Sequence, residues 1–122
     1  MSESPITKHA FDLEDRTLAF AKRVARLCKG LKLDPINREY IGQVVRASGS
    51  VGANYREAND ALSKKDFAMR IRITRREAKE AHYWLQLLAD ANPDVVDGEL
   101  KESLQEALEL KKIFSAIAEK AS

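Results

Sequence analysis

Apolar residues recur at intervals of three and four along four separate stretches of this chain, and no other feature limits its fold as tightly. That spacing places side chains on one face of a helix, whereas a half-buried strand would alternate in twos. Leu13, Thr17, Phe20, Val24, Leu27 and Leu31 make the first stripe, and Ile41, Val44, Ser48, Val51, Tyr55, Ala58 and Leu62 the second. The third runs Phe67, Ile71, Thr74, Ala78, Ala81, Leu85, Leu88, with Ile73, Glu77, Glu80, Trp84 and Leu87 as a flanking stripe. The fourth is Leu100, Ser103, Ala107, Leu110, Phe114 and Ile117. No stretch reads as a strand.

Local signals place the boundaries. Asp12 is expected to cap the first helix and Gly30 to help end it. The second helix is expected to start at Asn37 as N-cap, with Ile36 and Ile41 as a hydrophobic staple. Ser63 with Asp66 three residues on is a capping-box-like start for the third, stapled by Leu62 and Phe67. "ADANPDVVDG" breaks that helix, and a fourth is expected from about 97 to 118. Connections this short favour antiparallel neighbours. The prediction is all-α: an up-down-up-down antiparallel four-helix bundle. Its 122 residues form a single domain with a flexible N-terminal arm over about 1–10.

Several classes of activity fare badly. Cys28, the single cysteine, falls at an apolar-periodic position and cannot form an internal disulfide, which fits a reduced, cytoplasmic protein. The N-terminus lacks a secretory pattern. The longest apolar runs, such as 18–21, fall far short of the roughly 20 residues that span a bilayer. A dimetal bundle needs Glu-x-x-His pairs on two helices, but Lys79 stands three before His82, and His9 lies in the arm. Glu77 and Glu80 alone do not make a metal site. Ser48 and Ser50 have no histidine nearby in sequence, and "SGSVG" is not a phosphate loop. No catalytic residue, metal or cofactor is expected.

Two surface features remain. Arg46, Ser50, Asn54 and Glu57 form a polar stripe beside the apolar one, and Glu77, Glu80 and Trp84 lie similarly on the third helix. They read either as a solvated flank or as an interfacial polar network, since Asn and Ser are weak helix formers. Gly49 and Gly52, with Ala47 and Ala53, disfavour helix but let another backbone approach. Charge is uneven within the overall +2: residues 1–15 carry −3, 16–79 carry +10 and 80–122 carry −5. The candidate phosphate contacts are Lys22, Arg23, Arg26 and Lys29 on the first helix. On the third they are Lys64, Lys65, Arg70, Arg72, Arg75, Arg76 and Lys79. Ordinary solvated faces give the same pattern. Aromatic interleaving is poor, so base-specific readout is not supported.

The string "RASGSVGANYREANDALSKKDFAMRIRITRREAKEAHYWLQLL", residues 46–88, resembles the 23S rRNA intervening sequence protein family of bacterial four-helix bundles. The resemblance is carried by Arg46, Ser50, Val51, Ala53, Asn54 and Glu57, then Ser63, Asp66 and Phe67, then Glu77, Glu80, Trp84 and Leu85. It implies an up-down bundle that assembles as a homopentamer. A related branch, the accessory variability proteins of diversity-generating retroelements, binds nucleic acid and a reverse transcriptase through a basic barrel. Family members often have acids where Arg75 and Arg76 stand here, so this chain is more basic on its third helix. Ala58 replaces a glycine of other branches, and the second helix is expected to run further.

Two functions follow from different classes. The first is a non-enzymatic, cytoplasmic homo-oligomer that binds RNA or another nucleic acid through phosphates, largely independently of sequence. The second is a structural or adaptor oligomer with a protein partner, in which the motif residues serve subunit packing.

Overall fold

The computed structural model describes residues 5–121, with side chains from Leu13 onward. Four helices, α1 (Pro5–Lys29), α2 (Pro35–Asn59), α3 (Lys64–Ala91) and α4 (Lys101–Ala121), follow in order. A 3₁₀ turn at Pro93–Val95 and a kinked turn at Val96–Leu100 join the last two. Within the described residues there is no strand.

Side-chain pairs fix the direction of packing. Asn37 meets Asn92, Arg46 meets Glu77, and Asn54 meets Arg70, so numbers rise along α2 as they fall along α3. Each helix packs on its sequence neighbour, and α1 touches α4 over a short stretch. Among the described residues the backbones of α1 and α3, and of α2 and α4, nowhere come within 8 Å of one another, which makes them diagonal corners. The result is the expected up-down-up-down bundle.

The thin α1–α4 contact carries a side-chain clamp. Arg16 donates from Nε to Glu106 Oε2 (3.0 Å) and from Nη2 to Oε1 (2.7 Å), the two-pronged geometry that guanidinium and carboxylate share. Arg23 and Glu99 add a looser pair at 3.6 Å. Inside, the four stripes converge. Phe20, Val44, Val51, Ile71, Leu85, Leu110 and Phe114 are all within 1% of full burial. Each such side chain contributes roughly 1.5–3 kcal/mol of transfer free energy. Tyr55 and Phe114 span the α2–α4 diagonal with ring centroids 5.2 Å apart.

Several boundaries differ from expectation. Helical backbone begins at Pro5, so Asp12 lies inside α1 and not at its cap, and the expected arm overlaps the helix. Residues 1–4 lie outside the described residues. Asp34, not Asn37, caps α2: its side chain accepts from Asn37 N–H at 2.8 Å, and Pro35 takes the first helical position, where its missing N–H costs nothing. Ile36 is 55% exposed and lies inside the first turn of α2, not at the staple position ahead of the cap. Ser63 caps α3 as expected, accepting from Asp66 N–H at 3.1 Å. Leu62, however, is 97% exposed in the turn before it and neither extends the α2 stripe nor closes a staple. α2 ends at Asn59, one residue past Ala58.

The fourth helix starts at Lys101 and not near 97. Asp97 is extended (ψ 150°), and Gly98 has φ +84°, a backbone region that side chains rarely enter.

Candidate nucleic-acid interface

The motif residues gather along the α2–α3 seam. Arg46 reaches from α2 to two carboxylates of α3, with Nη1 3.7 Å from Glu77 Oε1 and Nη2 3.8 Å from Glu80 Oε1. One turn or two further, Arg70 Nη1 donates to Asn54 Oδ1 (3.1 Å), while Asn54 Nδ2 donates to the Ser50 carbonyl (2.9 Å). Arg70, a candidate phosphate contact in the sequence, is therefore turned inward to the seam. Glu57 is exposed and, among the described residues, takes no side-chain partner.

Glu77 is nearly buried, yet its Oε1 accepts no hydrogen bond. Trp84, on the flanking stripe, is half-buried, and its Nε1 donates to nothing among the described residues. Its ring stands 5.9 Å from Tyr40 and 5.3 Å from Tyr83, the latter nearly perpendicular at 79°.

Beyond the seam, the outer surface of α3 forms a shallow open groove. Arg72, Arg75, Arg76 and Lys79 line it together with Met69, Ile73, Glu80 and Tyr83. Glu80 is the one acid on that lining, and it faces Arg46. Among the described residues, none of the four cations has an ion pair or hydrogen bond from its side chain. Lys64 and Lys65 lie exposed at the start of the same helix.

The α1 candidates divide differently. Lys22, Arg26 and Lys29 are exposed and unpaired among the described residues, whereas Arg23 faces Glu99. Because α1 and α3 are diagonal, the two basic surfaces point away from one another.

The small residues also divide. A Cβ on Gly52 would meet Thr17 Oγ1 at 3.0 Å, so this glycine lets α1 approach α2. Ala47 is buried. Gly42 and Gly49 would meet nothing within 4 Å, and with Val45 and Ala53 they form a smooth exposed stripe on the outside of α2.

Among the described residues no group of three or more His, Cys, Asp or Glu could hold a metal ion. Burial pushes the Cys28 thiol up to about 11, which leaves it protonated and unreactive at neutral pH. Burial, with Lys111 nearby, lowers the His82 pKa. No described helix is long and apolar enough to cross a membrane.

Sequence reasoning missed three contacts: the Asn37–Asn92 amide pair, the Arg16–Glu106 clamp and the Tyr40–Trp84 ring contact. Each joins residues far apart in sequence. The antiparallel register, once assumed, brings Asn37 near the end of α3, and that was the available signal.

Fold and surface together define a small all-helical bundle whose third helix presents to solvent cations unpaired among the described residues. The 23S rRNA-intervening sequence protein family matches residues 10–116, and the chain belongs to that family. A solved structure from the S23 ribosomal protein family of Bacteroides thetaiotaomicron, a protein of unknown function, is similar at 31% identity. The match covers 86% of this chain and 96% of that one, with a TM-score of 0.73. A search of curated proteins finds no match.

Proposed function

We propose that this protein is a non-enzymatic, cytoplasmic homo-oligomer that binds RNA or another nucleic acid through its phosphates. The observation that carries this reading is the set of four cations, Arg72, Arg75, Arg76 and Lys79, that share one groove and have no ion-paired acid among the described residues. Four like charges held close together repel one another, and a polyanion relieves that repulsion while releasing its own counterions. The exposed Lys64 and Lys65 extend the same surface along α3. Self-association is supported by the smooth stripe of Gly42, Val45, Gly49 and Ala53, whose glycines disfavour helix although a Cβ on either would meet nothing within 4 Å. The family resemblance implies five copies.

The test is fluorescence anisotropy of a labelled RNA across a salt series, with light scattering and 260/280 nm absorbance on the same preparation. If about four phosphates are neutralised per site, log K should fall with log salt at a slope near −3 for a single strand. Arg72→Glu with Arg76→Glu should weaken binding more than tenfold while the thermal melt is unchanged. No binding at about 50 mM salt, where such contacts are strongest, overturns the reading. In that case the α2 stripe favours the second reading, an adaptor oligomer whose partner is a protein.

A further inference from the structure

We infer that the α3 groove is built for single-stranded nucleic acid, with Tyr83 as a stacking platform for an unpaired base. This inference rests on reading the groove as phosphate-binding and adds which form of nucleic acid it takes.

The groove is not purely cationic. Met69 is 45% exposed and Tyr83 55% exposed, and both share the lining with Arg72, Arg76 and Lys79. At 100° per residue, Arg72, Arg76, Lys79 and Tyr83 fall within a narrow arc of the helix, so cations and ring face the same way. A rise of 1.5 Å per residue puts Tyr83 about 6 Å beyond Lys79 and about 10 Å beyond Arg76 along the axis. A strand lying along α3 with its phosphates on the arginines therefore brings a base over the ring.

A duplex uses only half of this surface. It presents phosphates and sugars outward and keeps its bases stacked inside, so Tyr83 and Met69 would lie against nothing that rewards them. A single strand offers phosphates and open π-faces together, and the pairing of a basic track with an aromatic ring suits it. The ring is also held in place. Tyr83 stands edge-on to Trp84, 5.3 Å between centroids, and Trp84 leans on Tyr40 across the seam. A ring fixed before binding loses little freedom when a base stacks on it.

The experiment compares an unstructured 12-mer of uridine or adenosine with a blunt hairpin of matched phosphate number, at one salt concentration. The single strand should bind at least about tenfold more tightly, and Tyr83→Ala should remove about that factor from the single strand alone. Tyr83→Phe, which keeps the ring, should retain it. Equal or tighter binding of the hairpin overturns the inference, as does a Tyr83→Ala protein with unaltered single-strand affinity. So does a change in assembly mass on Tyr83→Ala, since the ring would then belong to a contact between copies. Absence of binding to both ligands overturns the phosphate reading itself.

Discussion

Asn37 shows how one residue type can be read for the wrong role. Ahead of an apolar-periodic run it is a good cap, but Asp34 before Pro35 takes that task and leaves Asn37 inside the first turn, 1% exposed. Its Nδ2 donates to the Lys32 carbonyl and to Asn92 Oδ1, both at 2.8 Å, while Asn92 Nδ2 donates back to Asn37 Oδ1 at 2.8 Å and to the Leu88 carbonyl at 2.9 Å. Two amides thereby satisfy each other and tie the start of α2 to the end of α3. Asn37→Ala strands the Asn92 amide in a half-buried site, and the loss should be about 1–3 kcal/mol in urea denaturation. Asn37→Ala with Asn92→Ala should cost less than the sum of the single changes, because the second removes the group the first left unpaired. Sequence alone could not pair residues 55 positions apart, since local capping preferences carry no information about a distant amide.

At the level of the helix, α2 shows why the bundle was legible and its edges were not. The stripe through Val44, Ser48, Val51, Tyr55 and Ala58 is buried as its period requires, because burial of one face outweighs the poor propensity of Gly and Ser. Boundaries depend on single residues, and there the pattern misled: Leu62 continues the spacing but falls in a turn. The fourth helix starts late for a reason only dihedral angles reveal, the positive φ of Gly98. The glycines of α2 look alike in sequence and differ in space. Gly49→Ala adds a Cβ with nothing within 4 Å and should stabilise an isolated protomer by up to about 1 kcal/mol. Gly52→Ala drives a Cβ to 3.2 Å from Thr17 Cβ. Thr17 is fully buried and its hydroxyl is committed to the Leu13 and Glu14 carbonyls, so α1 must move away and the melting temperature should fall. Thermal melts by circular dichroism at matched assembly state separate the two. Gly49→Gln should weaken self-association measured by sedimentation, if the open α2 stripe is where copies meet.

For the whole molecule, the question is whether a polyanion responds to the overall field or to one surface. The basic segment was plain in the sequence, but its division into two diagonal faces was not, because it depends on which corner of the bundle each helix occupies. That division allows a controlled comparison. Lys22→Glu with Arg26→Glu on α1, and Arg72→Glu with Arg76→Glu on α3, each take the formal net charge from +2 to −2. All four side chains are exposed and none is in an ion pair among the described residues, so neither change should disturb folding. Long-range steering should fall equally in both, since it depends on summed charge within a Debye length or so. Contact energy should not. The α3 pair should reduce affinity for a single-stranded RNA more than tenfold and flatten the salt slope by about 1.4, the share of two phosphates. The α1 pair should change affinity less than about threefold, with the slope intact. Anisotropy titrations of both variants over the same salt series decide it. Equal losses would mean that the chain attracts polyanions by its field as a whole, and that the grouping of Arg72, Arg75, Arg76 and Lys79 on one helix is not what binds them.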